Sequence, residues 1–200
     1  MRYVALGDSY TIGTSVPPAD RFPDQLVRRV PGLELVANLG VNGFTSADLI
    51  RDELPALAGL ASEFVTLLIG VNDVVQDIPP VTYEANVVEI LDVLLATLAP
   101  ERIVAIAIPD YTATPAGADY GEPDAKHAAI VEANATMARL AAEHGISFVD
   151  IFDLSLEAAR DRSLVADDGL HPSGAQYARW VDRIAPVVAE RLEDRGPTEA

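Results

Sequence analysis

Four short groups of residues in this chain combine side chains that can act on one another. Gly7-Asp8-Ser9-Tyr10 stands directly behind an apolar run, Tyr3–Leu6. Asn38-Leu39-Gly40-Val41-Asn42-Gly43 and Gly70-Val71-Asn72-Asp73 each follow another such run. Asp168-Gly169-Leu170-His171-Pro172 comes just before the last helical pattern. A serine hydroxyl is inert at neutral pH until an imidazole takes its proton, and the imidazole needs a carboxylate to fix its tautomer. Ser9, His171 and Asp168 supply those three types. Negative charge developing on a substrate oxygen needs N–H donors. The backbone N–H groups of Ser9 and Gly40 and the side-chain amide of Asn72 are the candidates, Gly40 having no side chain to obstruct its N–H. The set allows attack on a carbonyl carbon with transient covalent attachment to Ser9.

Each group read alone has a plainer explanation. Ser9 can merely cap a helix, Gly40 can serve a turn that requires positive φ, and Asn72 can bond loop backbone. Their positions argue for more. Short, nearly continuous apolar runs at Tyr3–Leu6, Leu33–Ala37, Phe64–Ile69, Ile103–Ile108 and Ile146–Asp150 read as strands covered on both faces. Between them lie helical patterns: Val87, Leu91, Leu94 and Leu98, stopped by Pro100; Ile130, Met137 and Leu140, stopped by Gly145; and Tyr177, Val181, Ile184, Val188 and Leu192. Ser173 is the expected N-cap of the last helix, and Pro186 is expected to bend or divide it. Thr45-Ser46-Ala47-Asp48 has the form of a capping box. Five strands alternating with helices predict an α/β three-layer sandwich, a five-stranded parallel sheet with helices on both faces. Sites in such sheets lie beyond the carboxyl ends of the strands, where the first three groups fall.

In order and spacing these four groups resemble the blocks of the SGNH hydrolases, the GDSL-type esterases and lipases, over Gly7 to Pro172. Tyr10 replaces the leucine of the eponymous motif. The resemblance implies a flavodoxin-like SGNH hydrolase fold with Ser9 as nucleophile and His171 as base, partnered by Asp168. It also implies an oxyanion hole of Ser9, Gly40 and Asn72, and no cofactor or metal. Asp8 and Asp73 have no separate role in that scheme and are expected to brace loops through backbone hydrogen bonds. His127 and His144 are expected to be bystanders. A metal site built from Asp8, Asp73, Asp168 and His171 lacks any ligand signature of the HExxH kind. The G-x-S-x-G elbow of α/β-hydrolases fails because Thr11 stands where its second glycine belongs, and no G-x-G-x-x-G follows the first strand.

Composition sets the outer bounds. Two hundred residues, 50% hydrophobic and 22% charged, suit one globular domain, expected over residues 1–192 with a polar tail at 193–200. A net charge of −17 argues against nucleic acid and anionic membrane surfaces as partners. With no cysteine, disulfides and thiolate chemistry are excluded. The N-terminal apolar run is too short for a signal peptide, so a cytoplasmic location is expected. Val75–Val81 and Pro109–Pro123 should wall the pocket, and neither carries a long apolar stretch. Carboxylic esters are the substrates that the resemblance implies, small or short-chain ones expected first, with carbohydrate acetates as the rival. Degenerate folds also give catalytically silent ligand-binding proteins, the alternative from another class.

Overall fold

A computed structural model describes residues 1–193; all but the first residue of the polar segment expected over 193–200 lies outside the described residues. Strands β1 (Arg2–Gly7), β2 (Glu34–Asn38), β3 (Phe64–Leu68), β4 (Ile103–Ile106) and β5 (Ser147–Val149) pair in the order β2-β1-β3-β4-β5, all parallel. β3 is buried at every residue and β1 at all but its first, which explains their unbroken apolarity. The order reverses between β1 and β3: the chain leaves β1 for β2 on one side and then crosses to β3 on the other. A crevice opens at such a switch point.

The intervening helices are α1 (Ser9–Ile12), α2 (Phe22–Arg29), α3 (Ser46–Asp48), α4 (Leu54–Leu57), α5 (Val71–Val75), α6 (Pro80–Leu95), α7 (Pro123–Glu143), α8 (Phe152–Leu156) and α9 (Gly174–Glu193). α2 packs on α9 in one layer and α6 on α7 in the other. Their buried stripes follow the helical period: Tyr83, Val87, Ile90, Leu91 and Leu94 on α6, and Tyr177, Trp180, Val181, Ile184 and Val188 on α9. Each such side chain contributes about 1.5–3 kcal/mol on burial.

Local signals mostly act as expected. Thr45 and Asp48 form a reciprocal capping box at the start of α3. α7 ends at Glu143 with Gly145 at φ +71°. Two expectations narrow. Pro186 lies inside α9 and, of the two outcomes expected, does not divide it: the helix runs on to Glu193, its neighbouring turns held by the packed stripe. Ser173 is a weak cap: its hydroxyl donates to Ser163 O at 2.7 Å and takes only a long 3.4 Å bond from Gln176 N–H. No helix among the described residues is long and apolar enough to cross a membrane.

Candidate active site

Ser9 is the first residue of α1, directly after β1. The turn that delivers it is closely fitted. Gly7 has φ +151°, and a Cβ there would stand 2.1 Å from Leu68 O and 2.4 Å from the Thr11 hydroxyl. Only glycine passes. The Asp8 side chain accepts from Tyr10 N–H at 2.9 Å and caps the short helix. Ser9 is buried to 7% exposure, and as the first residue of a helix its N–H has no partner within that helix.

Asn72 is the second residue of α5, directly beyond β3 across the switch point. One of its amide hydrogens goes to Phe44 O at 3.0 Å. The other remains for a ligand. Beside it the buried Asp73 carboxylate takes Ser46 N–H at 2.8 Å and the Ser46 hydroxyl at 2.5 Å, tying α5 to the start of α3. Asp8 and Asp73 thus brace loops as the sequence implied.

The Asp168–His171 pair comes from the last loop, closed by an antiparallel bridge between Val165 and Pro172 and by Ala166 N–H donating to His171 O at 2.8 Å. His171 Nδ1 lies 2.6 Å from Asp168 Oδ2. The other carboxylate oxygen accepts the N–H groups of Leu170 and His171, both at 2.9 Å. Burial raises the Asp168 pKa, but the hydrogen bonds from Ser15, Leu170 and His171 outweigh it and hold the group down at about 2. It is therefore an anion across the working pH range. The His171 ring packs 5.2 Å, centroid to centroid, from Tyr10.

These pieces meet at a cavity of about 210 Å³ lined by Ser9, Asn42, Gly43, Asn72 and His171, with Tyr10, Val71, Val75, Tyr111, Tyr120 and Leu170 as its apolar walls. Tyr111 and Tyr120 stand edge to face, 6.1 Å between centroids, so Pro109–Pro123 walls the pocket as expected, whereas of Val75–Val81 only Val75 lines it. A wider cleft of about 720 Å³ lined by Met1, Gly32, Arg102 and Leu192 has no serine or histidine in its wall. Among the described residues no group of three or more His, Asp or Glu side chains converges as metal ligands would.

One expected residue stands elsewhere. Gly40 is buried under the Ser9 turn, where a Cβ would come within 2.8 Å of Asp8 O and Ile12 N, and its N–H goes to Asn38 Oδ1 at 3.1 Å. It does not line the cavity. Gly43, three residues on, does so at φ +81°, and its N–H donates to no acceptor among the described residues. Both glycines sat in the same sequence block; only the path of the loop separates them. Ser15 was missed altogether. Its hydroxyl donates to Asp168 Oδ2 at 2.6 Å, the oxygen that also faces His171, and it does so from φ +65°, a conformation that costs a non-glycine residue. His127, expected to be a bystander, does not line the cavity; its Nδ1 meets the buried Asp110 at 2.5 Å.

A parallel α/β sandwich that sets a serine beyond its first strand, facing a histidine–aspartate pair from its last loop, defines a class of hydrolases. Residues 5–179 match the model of the GDSL-like lipase/acylhydrolase family, and the chain belongs to that family. None of the curated proteins matches. Solved structures do. A lipolytic protein of the G-D-S-L family from Veillonella parvula superposes with a TM-score of 0.73 at 20% identity, covering 98% of each chain. The psychrotrophic esterase EstA from a Pseudoalteromonas species gives 0.73 at 16% identity, over 96% of this chain and 99% of its own. The acetylxylan esterase Axe2 from Geobacillus stearothermophilus gives 0.70 at 18%, over 100% and 97%. At such identities the likeness speaks for the fold.

Proposed function

We propose that the protein is a serine esterase that hydrolyses carboxylic esters of short acyl groups through an acyl-enzyme. The observation that carries this reading is one small cavity faced by Ser9 and His171, with His171 Nδ1 bound to an ionised Asp168. Nδ1 donates to the carboxylate, so Nε2 is left with its lone pair for the Ser9 proton. Ser9 Oγ attacks the ester carbonyl and its proton passes to His171. The oxyanion is met by the N–H groups of Ser9 and Gly43 and the free amide hydrogen of Asn72; Gly43 takes the part first assigned to Gly40. Imidazolium then protonates the departing alcohol. Water, deprotonated by the same imidazole, releases the acid and restores Ser9.

The size of the cavity supports the substrate class. About 210 Å³ is below the usual range of roughly 300–1,000 Å³ for drug-sized ligands. Its walls are apolar, without lysine or arginine, which suits an uncharged acyl group. Axe2 is an acetylxylan esterase, so carbohydrate acetates belong beside simple acetates in the substrate panel.

The test is hydrolysis of p-nitrophenyl acetate, butyrate and octanoate by wild type and Ser9→Ala, with labelling by an alkyl phosphonate. EstA was solved inhibited by such a compound, monoethylphosphonate. Wild type should favour the shorter esters, the variant should lose about 10³-fold or more, and one phosphonate should attach per chain, at Ser9. Equal activity of the two proteins would remove Ser9 as nucleophile. A folded wild type that is both inert and unlabelled would favour a silent ligand-binding protein.

A further inference from the structure

Two acidic side chains lie beneath the Ser9 turn with no use in the reaction described above. Asp8 is 0% exposed and Glu53 is 2% exposed. Glu53 closes a π turn, Leu49–Glu53, that links α3 to α4; this single widened turn carries its carboxyl to the end of β1. Such turns are rare and recur at functional sites. There Glu53 Oε2 accepts the N–H of Gly7 at 2.9 Å, two residues before Ser9. Asp8, the next residue along, spends Oδ1 on the Tyr10 N–H. Each carboxyl then has one buried oxygen without a hydrogen-bond partner, Asp8 Oδ2 and Glu53 Oε1.

Two buried carboxylates with orphaned oxygens cannot both carry a charge at tolerable cost. The charges that act on them make matters worse. Glu53 feels Asp8 and Asp52; Asp8 feels Asp73, which in turn feels Asp48. Asp52 and Asp48 are offset by Arg51 on the surface, whereas Asp73 is held by the N–H and hydroxyl of Ser46. The Tyr83 hydroxyl, which feels Asp73 and Asp8, gives its proton to Ile69 O at 3.2 Å and so offers Asp8 no donor. One proton removes the conflict. It neutralises one carboxyl and turns an orphan acceptor into a donor.

We propose that Glu53 and Asp8 share one proton, and that this makes Glu53 a positioning residue for the nucleophile. Neutral Glu53 keeps its bond to Gly7 N–H through the carbonyl oxygen and turns its O–H toward Asp8 Oδ2. The Gly7-Asp8-Ser9 turn is then held from both sides, and with it the direction of the Ser9 hydroxyl and N–H. Burial, followed in the case of Glu53 by the nearby Asp8, raises both groups, Asp8 to about 7 and Glu53 to about 9, against the hydrogen bonds from Tyr10 and Gly7. The folded protein thus keeps a proton that the unfolded chain releases near 4.5. Stability must fall as pH rises through that window, because unfolding releases the proton.

Glu53→Gln is the decisive variant, since its amide presents both the acceptor for Gly7 and a donor for Asp8 at every pH. Wild type, E53Q and E53A are compared in thermal unfolding from pH 6 to 9.5 and in p-nitrophenyl acetate hydrolysis over the same range. Wild type should lose at least about 3 °C more than E53Q over that range. Its kcat should fall at the alkaline end while that of E53Q holds. At pH 7 E53Q should keep most of the activity, and E53A should lose about tenfold or more in kcat with KM little changed. The kinetic arm rests on the esterase reading; the unfolding arm does not, and decides alone if no ester is turned over. E53Q following wild type through both pH series, or E53A matching wild-type kcat, overturns the proposal.

Discussion

The two halves of the candidate site are built on different principles. The Ser9 turn is interior: β1 ends in it, Gly7 is pressed against Leu68 O, Asp8 and Glu53 are buried beside it, and Gly40 is packed beneath it. The Asp168–His171 loop is a surface hairpin held by its own hydrogen bonds and by those from Ser15 and Ala116, with the Asp168 side chain 29% exposed. A nucleophile must keep one direction through both halves of a reaction, and a close-packed interior gives it that. A base must rotate toward oxygen, leaving group and water in turn. A loop pinned at its ends and at one carboxylate allows that small motion.

If this contrast is right, substitutions in the interior half cost folding, and those in the surface half cost rate. The largest effect should come from Gly7→Ala, whose Cβ would collide with Leu68 backbone at a φ that side chains rarely adopt. A loss of about 3 kcal/mol or more, or failure to accumulate as folded protein, is expected in denaturant titration. A stable G7A protein would break the comparison. Asp168→Asn should instead cost rate far more than folding: kcat falls roughly 10³-fold through the wrong tautomer of His171, while the unfolding midpoint drops less than in G7A, by the part that the ionised carboxylate contributes. Equal losses of stability and rate would erase the distinction between the two halves.

Asn72→Ala sits between them, on α5 but facing the cavity. It should lower kcat by about 10²-fold with KM little changed, as one oxyanion donor goes. A rise in KM alone would assign Asn72 to ground-state binding. Ser15→Ala should be the mildest, within about tenfold in kcat, and it carries a pH signature. Ionised Asp168, held at about 2, contributes stability that is present above its ordinary 3.8 and lost as pH falls toward 2. Without the Ser15 hydroxyl, acid unfolding followed by circular dichroism should begin at higher pH. An unchanged acid limb would sharpen the picture to Leu170, His171 and the imidazole alone.

Much of this was legible in one dimension. The strands β1 and β3 are continuous apolar runs because both faces are covered, and Asp8, Ser9, Asn72, Asp168 and His171 are readable because each follows a strand or a tight turn with a fixed local geometry. The capping box at Thr45 and Asp48 is local for the same reason. Gly40 and Gly43 could not be told apart, since both are glycines in one loop and only the packing of Asn38 and Thr11 decides which N–H is consumed. Ser15 meets Asp168 across 153 positions of chain, and no local pattern encodes that contact.

The sequence by itself determined the class of fold and the chemical types at the site, because strand period, capping and turn residues act within a few neighbours. The tertiary structure alone decided which glycine faces the cavity, that Ser15 holds Asp168, and that Glu53 lies under the Ser9 turn. Those are contacts between segments far apart in the chain. They exist only after the sheet has brought the carboxyl ends of its strands to one edge.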